Sequence, residues 1–345
     1  MTRVGTRRLV ALLTLLLLAA VVGGAAALQR WLDAPPGIEG TSQRIDVPRG
    51  EPLALTARRL AERGLLTHPS VFTLYARAVG ADARIRAGEY DVPAGTTPRG
   101  LLALLESGAV VRRSVTVVEG WTFADLRRAL ERAPGLEQTL AGRDDPDVMA
   151  ALGESGVAPE GLFFPDTYLY ERGATDLSVL RQARARMQRE LDAAWQQRAA
   201  DLPLEDPYQA LILASIVEKE TAMAAERPRI AGVFTERLRI GMRLQTDPSV
   251  IYGLGDAYDG NLRKTDLLSD GPYNTYTRAG LPPTPIALPG QQALMAAVRP
   301  DERDELYFVA TGLPDGSHEF SRTLAEHERA VARYLQRYRQ RDGKQ

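Results

Sequence analysis

Residues Leu9–Leu28 form twenty consecutive positions in which Thr14 is the only polar side chain. That length matches an α-helix spanning the hydrocarbon of a bilayer, and it predicts a membrane-spanning segment. Arg3, Arg7 and Arg8 precede the run, and basic residues stay on the cytoplasmic side. The expected arrangement is a single pass through the cytoplasmic (inner) membrane, with residues 1–8 inside and the remainder on the periplasmic or extracytoplasmic side. Ala25-Ala26-Ala27 resembles a small-residue cleavage site, so a removed leader is the rival reading. The run exceeds a usual leader core, which favours an anchor.

Export narrows the chemistry. ATP and NAD(P)H are scarce across the membrane, and the chain carries no Gly-rich phosphate cradle. With no Cys, disulfides, thiolate metal sites and a Cys nucleophile are excluded. His68, His318 and His327 are scattered and form no HExxH-like pattern, so no metal and no cofactor are expected. A net charge of −1 gives no electrostatic case for nucleic acid. The 44% hydrophobic and 25% charged composition is that of a globular protein.

An internal repeat organises the chain beyond the anchor. Ile45-Asp-Val47-Pro-Arg-Gly50-Glu-Pro-Leu53-Ala54 aligns with Val115-Thr-Val117-Val-Glu-Gly120-Trp-Thr-Phe123-Ala124 at a constant offset of 70. Each copy reads as a strand, a Gly turn and an amphipathic helix, with Pro52 and Thr122 at the helix starts. Between them Val71–Val79 reads as a helix with Phe72, Leu74 and Tyr75 turned partly inward. Ala87–Val92 reads as a strand and Thr97–Glu106 as a further helix. The expected fold class is α+β: a Pro/Gly-rich linker over 29–42, a compact β-α-α-β-α unit over 43–110, a larger α+β domain over 111–335 and a tail over 336–345.

In the larger domain, Leu211–Thr221 (LILASIVEKET) drives an apolar segment directly into charge. Asp206 is a natural N-cap, Pro207 suits the first helical position, and Gln209 can complete a capping box. From Ala210 to Val217 the apolar residues surround the helix, so it should be central. Glu218 extends the face of Leu211, Ala214 and Ser215, whereas Glu220 points roughly the other way. A carboxyl at the rim of an apolar wall has a raised pKa, the property of a general acid. The bland alternative is an ion pair to Arg237 or Arg243 that merely ends the helix.

Further on, Gln245 and Thr246 fall in a short extended stretch before Asp247-Pro248, read as an N-cap and first helical residue. Tyr252 comes next, and Tyr273-Asn274-Thr275-Tyr276 repeats the same chemistry. Amides and hydroxyls beside aromatic rings suit a carbohydrate. The Pro-rich stretch Arg278–Gly290 is stiff enough to form a groove wall. Leu306–Ala310 and the segment around His318–Phe320 read as a hairpin, followed by a terminal helix with a capping box at Thr323 and Glu326.

LILASIVEKETAMAAERPRIAGVFTERLRIGMRLQTDPSVIYG, GPYNTYTRAGLPPTPIALPG and LYFVATG with HEFSRTLAEH closely resemble the endolytic murein transglycosylase (MltG, or YceG-like) family over nearly the whole chain. The resemblance implies an N-terminal transmembrane anchor, a small LysM-like domain with its strand at Gly88–Tyr90, and a catalytic domain. It implies cleavage of the MurNAc-β-1,4-GlcNAc bond within nascent peptidoglycan glycan strands to leave 1,6-anhydro-muramyl ends, terminating glycan elongation beside peptidoglycan synthases. The family's catalytic acid falls on Glu218. Gln245, Thr246, Tyr252, Asn274 and Tyr276 are then candidates for sugar and oxocarbenium contacts, with His318 and Phe320 as cleft residues. Asp247 is expected to cap its helix, and Glu220 to tune Glu218.

Ordinary glycosidases need two carboxyls, whereas intramolecular attack by the muramyl 6-hydroxyl needs one, which is protonated at rest. Three rivals remain open at this point. One is a muramidase in which Asp247 or Glu220 supports a water. A second is a non-catalytic, membrane-anchored wall-binding scaffold. The third is a pyridoxal-phosphate lyase, for which Lys219, Lys264 and Lys344 are the only Schiff-base candidates.

Overall fold

The computed structural model of the 345-residue chain describes residues 3–36, 42–301 and 303–342. Helix α1 (Arg3–Asp33) contains the apolar run, and its large side chains from Leu9 to Val22 are all more than half exposed. Over Arg7–Asp33 it is long and apolar enough to cross a membrane. The helix continues five residues past Leu28, so 29–33 of the expected linker are helical; 37–41 lie outside the described residues. The last turn of α1 is tied down. Leu32 is fully buried, Trp31 Nε1 donates to Thr67 Oγ1 at 2.8 Å, and Arg99 bonds Asp33 and Gln29.

The chain divides into two compact units, 1–113 with 171–173, and 114–170 with 174–345. The first unit has strands β1 (Gln43–Val47) and β2 (Gly88–Val92) paired antiparallel with Ile45 opposite Tyr90. Around them lie helices α2 (Leu53–Glu62), α3 (Pro69–Ala78) and α4 (Pro98–Ser107), in the β-α-α-β-α order that the periodicity predicts. Strand alternation sends Ile45, Val47, Tyr90 and Val92 into one core with Leu60, Phe72, Leu101 and Leu105. One local reading needs correction. Leu74 is 70% exposed and Thr73 takes the inward position, because Phe72, Thr73 and Ala76 set the buried stripe of α3. Pro52 stands at the helix start as expected, in the N-cap position of α2.

Strand β3 (Arg112–Thr116), whose residues from Ser114 on open the second unit, pairs with β4 (Thr167–Glu171). Helix α5 (Phe123–Glu131) opens on a capping box between Thr122 and Asp125. The two repeat copies share their Gly turn, with φ of 75° at Gly50 and 78° at Gly120, a conformation that favours glycine. Helices α6 (Asp145–Leu152) and α7 (Asp176–Gln196) come next.

Helix α8 (Pro207–Glu220) is central, as its all-round apolar sequence demands: Ala210–Val217 are all buried. Packed on it are α7, α9 (Arg227–Arg239), α10 (Asp247–Leu254) and α12 (Gln291–Val298). The short α11 (Lys264–Leu268) lies between α10 and α12 in sequence. Strands β5 (Tyr307–Ala310) and β6 (His318–Ser321) form an antiparallel hairpin. The terminal helix α13 (Leu324–Asp342) extends into the segment expected as a tail. Its start has the expected box, with Thr323 N–H on the Glu326 carboxylate and Glu326 N–H on Thr323 Oγ1.

Candidate active site

Helix α8 is built to deliver a carboxyl from a rigid core. Asp206 caps it by accepting from Gln209 N–H at 2.8 Å. The box is not closed as expected, since the Gln209 side chain accepts from Glu205 N–H instead. One turn before the charged end, Ser215 Oγ donates to Ile212 O and accepts from Ile286 N–H at 2.9 Å. That contact fixes the Pro-rich segment against α8.

Glu218 lies in the last turn of the helix with its side chain 5% exposed. One carboxyl oxygen accepts from Arg227 Nη2 at 2.7 Å, the other from Gly290 N–H at 2.9 Å. The partner is thus Arg227 at the start of α9, not Arg237 or Arg243. Burial pushes the Glu218 carboxyl above the ordinary range, with the Gly290 N–H and the Arg227 charge opposing and the Glu119 charge reinforcing that rise. Arg227 is itself buried. Its Nη1 donates to Gln292 Oε1 at 3.1 Å, and its buried Nε makes no hydrogen bond among the described residues. A groove of about 560 Å³ lies alongside, lined in part by Ala224, Pro228, Gln291, Gln292 and Met295.

Glu220 diverges from Glu218 as the helical spacing requires. Its carboxyl accepts from Thr246 Oγ1, and burial pushes it up to about 7. Thr246 is buried and committed to the protein: its N–H donates to Thr275 Oγ1 at 3.0 Å. Gln245, next to it, is exposed and adopts a positive φ of 50°. Asp247 does not cap α10. Thr246 holds the cap position without a side-chain cap bond, and Asp247 accepts instead from Tyr276 OH at 2.6 Å.

The remaining candidates are spread over different duties. Asn274 is buried, and its amide is spent on the loop. Nδ2 donates to the carbonyls of Asp266, Leu267 and Ser269, and Oδ1 accepts from Tyr276 N–H. Those bonds tie the loop together around Asn274. Tyr252 packs edge-on against Tyr273 and donates to Glu160 at 3.1 Å. His318 meets Glu226, the residue before Arg227, through Nδ1 at 2.7 Å and through its backbone N–H at 2.9 Å. Phe320 lies under the Arg229 guanidinium. Neither of these two contacts Glu218 directly.

Several groups at this site carried no local sequence signal of function: Arg227, Gly290, Gln292, Glu119 and Glu160. Glu160 is a buried carboxyl accepting from Phe123 N–H and Tyr252 OH, and burial pushes it up to about 7. The one clue concerned Glu119, which replaces the Arg49 of the first repeat copy ahead of the shared Gly. Among the described residues no cluster of three or more His, Asp or Glu is arranged to hold a metal ion.

The sequence model of the YceG-like family matches residues 45–333. The chain is 31% identical over 312 residues to the endolytic murein transglycosylase of Bacillus subtilis (strain 168), covering 86% of this chain and 85% of that protein. It is 27% identical over 324 residues to the endolytic murein transglycosylase of Streptococcus pneumoniae (strain D39), covering 84% of this chain and 58% of that longer protein. The crystal structure of a YceG-like protein from Listeria monocytogenes is similar with a TM-score of 0.52 at 27% identity, covering 84% of this chain and 98% of the other. The family match runs from β1 through the Glu218 site into α13, and together with the Bacillus relative it establishes that the chain belongs to the YceG-like family.

Proposed function

We propose that the protein is an endolytic lytic transglycosylase of peptidoglycan, with Glu218 as its acid and base. The observation that carries the reading is the Glu218 carboxyl itself: it stands in the last turn of a buried helix, is desolvated, and is oriented by a backbone N–H on one oxygen and a guanidinium on the other. In the reaction Glu218 gives its proton to the glycosidic oxygen as the C1–O bond breaks and its electron pair leaves with that oxygen. The muramyl 6-hydroxyl oxygen attacks C1, and its proton passes to the Glu218 carboxylate, restoring the acid. No water is consumed. The relatives named for this activity support the assignment to the murein backbone.

The exposed Gln245 side chain makes no protein hydrogen bond among the described residues and is the candidate best placed to meet glycan; Tyr252 and Tyr276 offer ring faces. We assign Thr246 and Asn274 to holding these neighbours in place. The small β-α-α-β-α unit is read as LysM-like, a module for holding the strand. Helix α1 is read as a single-pass anchor with Arg7 and Arg8 on the cytoplasmic side. Such an anchor keeps the catalytic unit close to the membrane where synthases extrude new strands.

One observation favours a second reading. Glu119 shares Arg227 with Glu218, and two carboxyls around one bond are the equipment of a hydrolase. Mass spectrometry of products released from purified peptidoglycan by the full-length, detergent-solubilised chain separates the two. Anhydro-muramyl ends that disappear in Glu218→Gln are expected. Reducing ends would move the assignment to a muramidase, and no release by the unaltered chain would leave only a wall-binding role.

A further inference from the structure

Glu119 has no part in the reaction as written, yet it stands at the charge that controls Glu218. Its carboxylate lies 3.8 Å from Arg227 Nη2, the same nitrogen that donates to Glu218 at 2.7 Å. The two carboxylates differ in setting: Glu218 is buried, whereas Glu119 is about half exposed. Glu119 also presses on the other support of Glu218. A Cβ added to Gly290 would lie 1.9 Å from Glu119 Oε1, so glycine at 290 leaves the space this carboxylate fills.

The charged and polar groups facing Glu218 come from four elements. Arg227 comes from α9, Glu119 from the turn before α5, and the Gly290 N–H from the start of α12. On α8 itself, Lys219 is drawn aside, its Nζ donating to Gly120 O at 3.2 Å. Glu220 is turned away to Thr246. Arg227 is therefore the one cation bonded to Glu218 among the described residues, and Glu119 is its competing acceptor.

We infer that Glu119 is a positioning residue for the cleavage: by drawing Arg227 toward itself it lets Glu218 keep the proton that it must deliver. The inference rests on the reading of Glu218 as general acid. A guanidinium committed wholly to Glu218 would hold it as a carboxylate, which is the wrong state for the first step. Glycan entering the site removes water from the exposed Glu119, and with less screening its pull on Arg227 strengthens. A small shift of the buried guanidinium then transfers the ion pair from one carboxylate to the other. When Glu218 becomes a carboxylate after protonating the leaving oxygen, Arg227 is at hand to stabilise it until the 6-hydroxyl proton returns.

The test uses full-length protein in detergent and purified peptidoglycan, comparing the unaltered chain with Glu119→Gln and Glu119→Asp across pH. Without the competing charge, Arg227 stays on Glu218 and the acid is lost at lower pH. The upper limb of the Glu119→Gln profile is expected to move down by about half to one pH unit, the scale of one nearby charge. Release at pH 7–8 then falls roughly three- to tenfold while the low-pH rate is retained. Glu119→Asp should restore part of the shift. A loss equal at every pH, with the limb unmoved, would overturn the inference and leave Glu119 a structural residue.

Infrared titration of the Glu218 carboxyl, isolated by difference against Glu218→Gln, gives a readout that does not need turnover. A lower midpoint in Glu119→Gln supports the inference, and an unchanged midpoint overturns it. Failure of the transglycosylase reading looks different: the unaltered chain would release reducing ends or nothing, whatever the titration gave.

Discussion

The hydroxyl of Thr246 donates to the carboxyl of Glu220, two residues along α8 from Glu218 and on the opposite side of the helix. That bond does not offset the desolvation, which pushes Glu220 up to about 7 with the Asp247 charge adding to the rise. Glu160, behind Tyr252, is pushed up to about 7 by the same cause. In the unfolded chain both titrate near 4.5. Between about 4.5 and 7 the folded state therefore holds more protons than the unfolded one, and stability falls as pH rises through that window.

A pKa unit corresponds to about 1.4 kcal/mol, so each carboxyl costs roughly 3–4 kcal/mol at pH 8. Glu220→Gln and Glu160→Gln are each expected to raise the thermal midpoint at pH 8 and to leave it nearly unchanged at pH 4.5. Thermal unfolding at the two pH values checks this. Equal shifts at both would show that packing, not ionisation, controls these positions.

Asn274 holds three backbone carbonyls with one amide group. Replacing it by Ala leaves buried acceptors unpaired, at about 1–3 kcal/mol of destabilisation. Asn274→Asp should be worse, because a carboxylate faces the carbonyls of Asp266, Leu267 and Ser269 with no donor to offer. Denaturant unfolding measures both. If Asn274→Ala loses cleavage but keeps full stability, Asn274 is a substrate contact after all.

These residues also mark where the sequence was legible. Helix starts at Asp206 and Thr122, the central place of α8 and the repeated strand-turn-helix could be read because each depends on neighbours within a few positions. Asp247-Pro248 misled for the complementary reason: Tyr276, 29 residues on, offers Asp247 a better donor than the helix N–H groups do. Asn274 looked like a sugar contact because an amide that binds carbonyls and one that binds hydroxyls have the same composition. The surroundings of Glu218 were hidden by distance along the chain. Gly290 lies 72 residues away, and no local pattern marks a glycine for its N–H or an arginine for its choice between two carboxylates.

Gln245 stands at φ of 50° with an exposed side chain, a backbone state that costs a non-glycine residue of order 1 kcal/mol. Gln245→Gly should therefore stabilise the protein by about that amount while weakening cleavage if the amide touches glycan. Chemical unfolding and rates of product release, taken on the same preparation, check both halves. A variant more stable and fully active would remove Gln245 from the site and leave the strain without a functional reason.

Gly290→Ala tests the competition for Arg227 from the other side. The new Cβ would fall 1.9 Å from Glu119 Oε1 and 2.3 Å from its Cδ. Gly290 itself has φ of −82°, where Ala is unstrained, so the clash is relieved by turning the half-exposed Glu119 side chain away. Stability should change by less than about 1 kcal/mol, as for a surface rearrangement. Cleavage should fall near neutral pH, with the upper limb of its profile moving down as in Glu119→Gln. Combining the two substitutions should add nothing, because the first has already withdrawn Glu119 from Arg227. Additive losses would mean that Gly290 acts on Glu218 through its N–H alone.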